Sequence, residues 1–208
     1  MGVETEIKVR IGEPELFLAQ LNKLRPILLS KRHFEDNFVL DFADGRLASG
    51  LCLLRVRVVD GPALLTFKGP PQPSGLFKIR EELETSAANG RALLAILKRL
   101  GLRVSFRYQK YRREFRVSTG PGRRGEIHVV LDETPIGTFA EFEGSGAGIR
   151  KLARALGIRE ARFLRDSYAS LYVDFCRKRK QAVRHMTFRS VRARSGYSAL
   201  ASRRKDKS

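Results

Sequence analysis

Tryptophan is absent from this 208-residue chain, and histidine, cysteine and methionine are scarce at three, two and two. Each scarcity excludes something. Cys52 and Cys176 lie far apart and match no metal-ligand or redox spacing, so both are expected as reduced thiols. His33, His128 and His185 are scattered and offer no zinc-type ligand set. No apolar run approaches the roughly 20 residues that span a bilayer. The opening VETEIKVRI is not a basic segment followed by an apolar one, as a secretory signal would be. A soluble, cytoplasmic protein without membrane contact is the expectation. Acidic residues are also in deficit, 22 against 41 Lys and Arg, which leaves a net charge of +19. The deficit is uneven: residues 177–208 hold 12 Lys or Arg and one acid, Asp206, and so carry +11 of that charge. The chain therefore divides into a body at 1–176 and a basic tail at 177–208, expected to be disordered beyond about residue 181 and removable without harm to the body.

What the body has in quantity is period-two alternation, the signature of strands with one buried face. It predicts strands at 3–11, 32–41, 52–59, 63–68, 77–85, 106–117, 126–132 and 138–143. Helical patterns occupy 14–24, opened by Pro14, then 87–100 and 148–156, which stop at Gly101 and Gly157. A last helix begins near Ser167, a good N-cap, and runs toward the RKRK of 177–180. Asp-Gly pairs at 44–45 and 60–61 and Gly/Pro-rich loops at 69–75 and 120–125 mark turns. Many strands joined by short turns point to an α+β fold: an antiparallel sheet closed on itself and flanked by about four helices.

The faces of those strands are unusual. Glu4, Glu6, Lys8 and Arg10 share one side of the first strand; Val3, Ile7, Val9 and Ile11 share the other. The arrangement recurs with Arg55 and Arg57, with Thr66 and Lys68, with Lys78, Arg80, Glu82 and Glu84, and with Lys110, Arg112 and Glu114. It recurs again with His128 and Asp132 and with Glu141 and Glu143. A solvated sheet face mixes Ser, Thr, Lys and Glu. Here the polar faces are almost purely charged, and acids and bases segregate by strand. Turning the sheet inside out accounts for this: apolar faces outward against helices, charged faces lining a bore. Charges at such depth need partners. Bases left over call for a polyanion, and clustered carboxylates call for a hard divalent cation, Mg²⁺ or Mn²⁺. A metal-bound polyphosphate satisfies both, and phosphoryl transfer needs mainly positioning and charge neutralisation.

The same residues resemble the CYTH, or triphosphate tunnel metalloenzyme, family, whose members include class IV adenylate cyclases, thiamine triphosphatases and inorganic triphosphatases. The Glu-x-Glu-x-Lys opening stands as Glu4, Glu6 and Lys8, and the paired arginines as Arg55 and Arg57. Thr66, Lys68, Gly69 and Pro70 match Thr-x-Lys-Gly-Pro; Arg80, Glu82 and Glu84 match Arg-x-Glu-x-Glu; Lys110 and Arg112 match Lys-x-Arg. Asp132, Gly137, Phe139, Glu141 and Glu143 follow in order, then Ser167, Tyr168 and Leu171. The resemblance covers about residues 3–175 and implies an eight-stranded antiparallel barrel with a charged tunnel. It implies metal binding by Glu4, Glu6, Glu84, Asp132, Glu141 and Glu143 with Mg²⁺ or Mn²⁺. It also implies a triphosphate grip by Lys8, Arg55, Arg57, Lys68, Arg80, Lys110 and Arg112, and catalytic roles for Lys8, Glu6 and Glu82. One departure is FEDNFVLD on the second strand, where relatives often carry Gln or Asp; Asn37 and Asp41 are placed there.

Three readings follow. The first is hydrolysis of inorganic triphosphate or a related organic triphosphate. The second is conversion of ATP to cyclic AMP and pyrophosphate. The third is a nucleic-acid-binding protein that uses the basic tail, which would give salt-dependent affinity. Ordered carboxylates in the body oppose the third. The stretch GSGAG at 144–148 is not a dinucleotide loop, because Ile149 stands where the third glycine is required. The remaining residues have plain roles: His128 as a lining group, and Glu114 as a partner for Arg112 or Lys110.

Overall fold

The computed structural model describes residues 2–120, 122 and 125–195. Eight strands form one antiparallel sheet: β1 (Gly2–Ile11), β2 (Ile27–Asp41), β3 (Leu53–Val58), β4 (Ala63–Lys68), β5 (Lys78–Ala87), β6 (Arg103–Ser118), β7 (Glu126–Thr134) and β8 (Gly137–Glu143). The order β1-β5-β4-β3-β2-β6-β7-β8 closes into a barrel, with β1 paired to both β5 and β8. The ring is uneven. β2 and β6 run 15 and 16 residues, whereas β3 and β4 have six each. All eight expected strands are present, within a few residues of their expected ends. Only β2 starts well early, because Ile27–Ser30 lacks alternation yet pairs with Glu114–Arg116 across two register shifts.

Among the described residues six α-helices accompany the barrel: α1 (Pro14–Lys23), α2 (Arg46–Ser49), α3 (Gly90–Arg99), α4 (Gly146–Ala155), α5 (Tyr168–Lys178) and α6 (Phe188–Ser195). Four of these match the expected ones. The additional α2 is a single turn, held by Asp41, whose carboxylate accepts from the amides of Phe42, Leu47 and Ala48. Gly101 and Gly157 follow α3 and α4 with positive φ, as helix-stopping glycines do. The GSGAG stretch opens α4: Ser145 Oγ accepts from the Gly148 amide, and a Cβ at Gly148 would lie 2.6 Å from Ile127 Cδ1. Those glycines serve helix capping and close packing.

The sheet is inside out, as the alternation implied. Ile7, Val9, Val117, Ile127, Val129 and Phe142 point outward into a core with α1 and α4. Leu40, Val56 and Ala63 pack beneath α3. α5 works differently. Tyr168 and Tyr172 pack with Tyr108 and Phe139, and the Tyr168 hydroxyl reaches the inward-facing Asp132, so α5 plugs the barrel from one side. No described helix is long and apolar enough to cross a membrane.

The tail needs correction. Expected disorder beyond about residue 181 does not hold for residues 184–195. Met186 is 0% exposed, packed with Tyr108, Tyr172 and Cys176. Its amide donates to the Arg107 carbonyl, and its carbonyl accepts from the Gln109 amide. β6 pairs with β7 only from Tyr111 onward, so its edge at 107–109 lacks a neighbouring strand, and residue 186 supplies one. Thr187 then caps α6, and Val191 is buried. A basic average concealed three apolar anchors, Met186, Phe188 and Val191. Residues 196–208 lie outside the described residues.

Candidate active site

The charged inner faces enclose a cavity of about 470 Å³. Eight Lys or Arg and seven Glu side chains line it, with His128. The near balance of signs means that a highly charged anion cannot settle there on cations alone. Of the fourteen site residues expected from the sequence, all line the cavity except Asp132.

Register decides who faces whom. Glu4 pairs with Arg80 across β1 and β5, and Glu6 with Lys78. On the other side, Lys8 stands opposite Glu141. In this arrangement lysines occupy Glu4, Glu6, Glu82 and Glu141, while Glu114 and Glu143 pair with His128. Lys68 bonds Glu4 and lies 3.2 Å from Glu82; Lys78 is 3.1 Å from Glu6; Lys8 is 2.7 Å from Glu141. Arg55 donates to Thr66 at 3.1 Å and to the Tyr108 hydroxyl at 3.3 Å, and Thr66 donates to Glu84 at 2.6 Å. The Nε atoms of Arg55, Arg57 and Arg80 are buried without hydrogen-bond partners.

The electrostatics are frustrated at both signs. Burial and the neighbouring Glu6 push the Glu4 carboxyl up to about 8, against the pull of Lys68. Burial also acts to raise Glu6, but Lys8 and Lys78 outweigh it and hold the group below its usual value. Burial, with Arg55 and Arg112 beside it, pushes Arg57 down. One wall thus favours an added cation, and the other an added anion.

The family model for the CYTH domain matches residues 2–170. The chain belongs to the CYTH family. This CYTH domain is 27% identical over 180 residues to a Methanocaldococcus jannaschii protein provisionally named adenylate cyclase, covering 81% of this chain and 98% of that one. Its fold is similar to that of a provisional adenylate cyclase from Vibrio parahaemolyticus, with a TM-score of 0.67 and 22% identity over 79% of this chain and 94% of the other. It is also similar to a provisional adenylyl cyclase from Hippeastrum described as having a dominant triphosphatase activity; there the TM-score is 0.57, with 20% identity over 86% and 97% of the two chains. These two likenesses support the fold.

Three placements in this CYTH domain differ from the sequence reading. Asp132, expected as a metal ligand, is 0% exposed and saturated. It accepts from Lys110 at 2.8 Å, from Arg112 at 2.8 and 2.7 Å, and from the Tyr168 hydroxyl at 2.7 Å. Its oxygens hold two cavity-lining cations, Lys110 and Arg112, from behind. Glu114 pairs with His128 at 3.0 Å, not with Arg112 or Lys110. The third difference is an omission: Glu35, on the inner face of β2, sits among Lys110, Arg57 and Arg112. The signal was present, since outward Phe34, Phe38 and Leu40 put Glu35, Asn37 and Val39 inside. Lys78 was legible in the same way, on the face shared with Arg80.

His128 supplies a pH prediction. Hydrogen bonds to Glu114 and Glu143 raise it from 6.5 to about 9. A raised folded value means that its stabilising contribution is complete below the unfolded value of 6.5 and is lost as pH rises through about 9. Thermal melting of the wild type should therefore show a decline between those pH values that is shallower in His128→Gln. Parallel profiles would remove His128 as the cause.

Proposed function

We propose that the tunnel binds a divalent-metal complex of a triphosphate and hydrolyses its terminal phosphate, with inorganic triphosphate or a related organic triphosphate as substrate. The observation that carries this reading is opposed charge in one cavity: carboxylates on β1, β5 and β8 face cations on β3 and β6. The donor chemistry fits a hard cation. Every acidic side chain lining the cavity is a glutamate, and Glu4 is poorly stabilised as an anion beside Glu6. Among the described residues no three His, Cys, Asp or Glu side chains gather round one point. Lysines hold Glu4, Glu6, Glu82 and Glu141 instead. Glu4, Glu6, Glu82, Glu84, Glu141 and Glu143 would hold Mg²⁺ or Mn²⁺, which when bound neutralises phosphate charge and activates the phosphorus toward attack.

This chain's own groups do the rest. Lys8, Lys68 and Lys78, released from their carboxylates, turn to phosphate oxygens together with Arg55, Arg57, Arg80, Lys110 and Arg112. Glu6 or Glu82 orients a water in line with the terminal phosphorus and accepts its proton. The new bond is water oxygen to phosphorus, the bridging phosphorus–oxygen bond breaks, and diphosphate leaves. Tyr168 and α5 bound the reacting end against bulk water.

A cyclase reading has one observation in its favour. Val39 and Phe106, paired across β2 and β6, form an apolar patch of the cavity wall, able to receive a base. A product assay separates the two. Protein with Mg²⁺ or Mn²⁺ receives tripolyphosphate, thiamine triphosphate and ATP in parallel. Orthophosphate from tripolyphosphate without cyclic AMP from ATP is the expected result; cyclic AMP as the main product overturns hydrolysis. Glu6→Gln is expected to cut turnover at least about 100-fold while the fold persists, a loss typical of removing a key charge-handling group. Wild-type turnover at limiting metal would end the metal assignment. Arg177–Lys180 and Arg184, all exposed, support salt-dependent nucleic-acid contact as an accessory property.

A further inference from the structure

Behind the cavity's cations, and not itself part of the lining, Glu35 stands apart. It is 1% exposed, yet its nitrogen neighbours all stay at 3.4 Å or more: Lys110 Nζ is at 3.4 Å, Arg57 Nε and His33 Nε2 at 3.5 Å and Arg112 Nε at 3.8 Å. The Asn37 amide is at 3.5 Å, and Glu35 Oε1 has no hydrogen-bond partner. Asp132, in the same cluster, takes four bonds of 2.7–2.8 Å. The contrast is between a carboxylate fixed by four short hydrogen bonds and one held by charge and a single long hydrogen bond from Asn37. A buried anion without strong hydrogen bonds is costly unless surrounding cations need it. They do: three guanidinium or ammonium groups converge there, and Arg57 Nε and Arg55 Nε have donors to spare.

We propose that Glu35 is a built-in counter-anion, which neutralises the cationic wall of the empty tunnel and competes with substrate phosphate for it, thereby setting how tightly a polyphosphate is held. The proposal rests on the reading that the tunnel binds polyphosphate. Because its contacts are long, Glu35 lowers the repulsion among Arg57, Lys110 and Arg112 without locking their hydrogen-bond directions. An arriving phosphate oxygen can claim those donors while Glu35 remains nearby, so every phosphate bond is made against its repulsion. The expected consequence is weaker binding, faster product release and a more stable empty protein.

Glu35→Gln keeps the volume and removes the charge. Calorimetric titration with tripolyphosphate and Mg²⁺ should show affinity raised roughly tenfold or more. The melting temperature without ligand should fall, and its rise on adding tripolyphosphate should exceed that of the wild type. Asp36→Asn is the control. It removes the same charge one residue along, on the outer face, where Asp36 pairs with Arg107 at 2.6 Å; it should leave tripolyphosphate affinity unchanged. Unaltered or weakened binding by Glu35→Gln, with a wild type that binds, overturns the proposal. An equal gain in Asp36→Asn overturns it too, because net charge would then be the cause. No binding to the wild type defeats the polyphosphate reading itself. Should Glu35→Gln not fold alone, millimolar tripolyphosphate should restore a cooperative melt, and failure to do so also counts against the proposal.

Discussion

Asp132→Asn is expected to lower the stability of the fold by about 3–5 kcal/mol, the usual cost of removing one partner from a buried ionic network. The reason lies in what remains. Lys110 and Arg112 are buried, and Asp132 is the closest carboxylate they share. An asparagine of the same shape keeps one acceptor and turns an amide donor toward these cations and the Tyr168 hydroxyl. Like-signed groups then meet where charge-assisted bonds had been. Glu35 and Glu141 compensate in part, at 3.4 Å from Lys110 and 2.8 Å from Arg112. Urea unfolding of wild type and variant measures the difference. A change below about 0.5 kcal/mol, the range of an ordinary surface substitution, would show that the network is not organised round Asp132. The effect also tests the corrected assignment. A metal ligand lost from an otherwise sound barrel would spare the stability of the metal-free protein, whereas the counter-ion of two buried cations would not.

Truncation after Lys180 is expected to produce the second large effect. By composition alone this removal is harmless, because a segment so rich in Arg and Lys reads as a solvated extension. The structure reverses that expectation. Removing residue 186 uncovers Tyr108, Tyr172 and Cys176 and strips two backbone bonds from the edge of β6. Met186→Ala alone should cost about 2–5 kcal/mol, as for other fully buried large-to-small changes. The truncation should cost at least as much, since the Gln109 amide and the Arg107 carbonyl lose their partners as well. Tyr108 connects this stability effect to the site, because its hydroxyl accepts from Arg55 inside the cavity. Turnover of the truncated protein should therefore fall together with its melting temperature. A truncated protein that melts like the wild type would show that the docked segment contributes nothing to the barrel.

Much of the site was legible because strand alternation is a strong constraint. Once Ile7, Val9 and Phe142 must face a core, Glu6, Lys8 and Glu141 have only the opposite side available. The same logic reaches Glu35, but the unbroken HFEDNF context, with charge on both faces, hides it. Outward Asp36 finds Arg107, a partner 71 residues along the chain that no local pattern reveals.

The sequence by itself determined the eight strands, the helix N-cap at Ser167 and stops at Gly101 and Gly157, and which side of each strand carries charge. These are local matters of period, capping chemistry and turn residues. Tertiary structure alone decided depth and partnership. Asp132 and Glu141 stand on inner faces of adjacent strands, yet one is sealed behind Tyr168 and the other borders the cavity. That difference arises from the stagger between strands and from a helix entering the barrel. Both are set by contacts between residues distant in sequence, and so is the docking of Met186 against the open edge of β6.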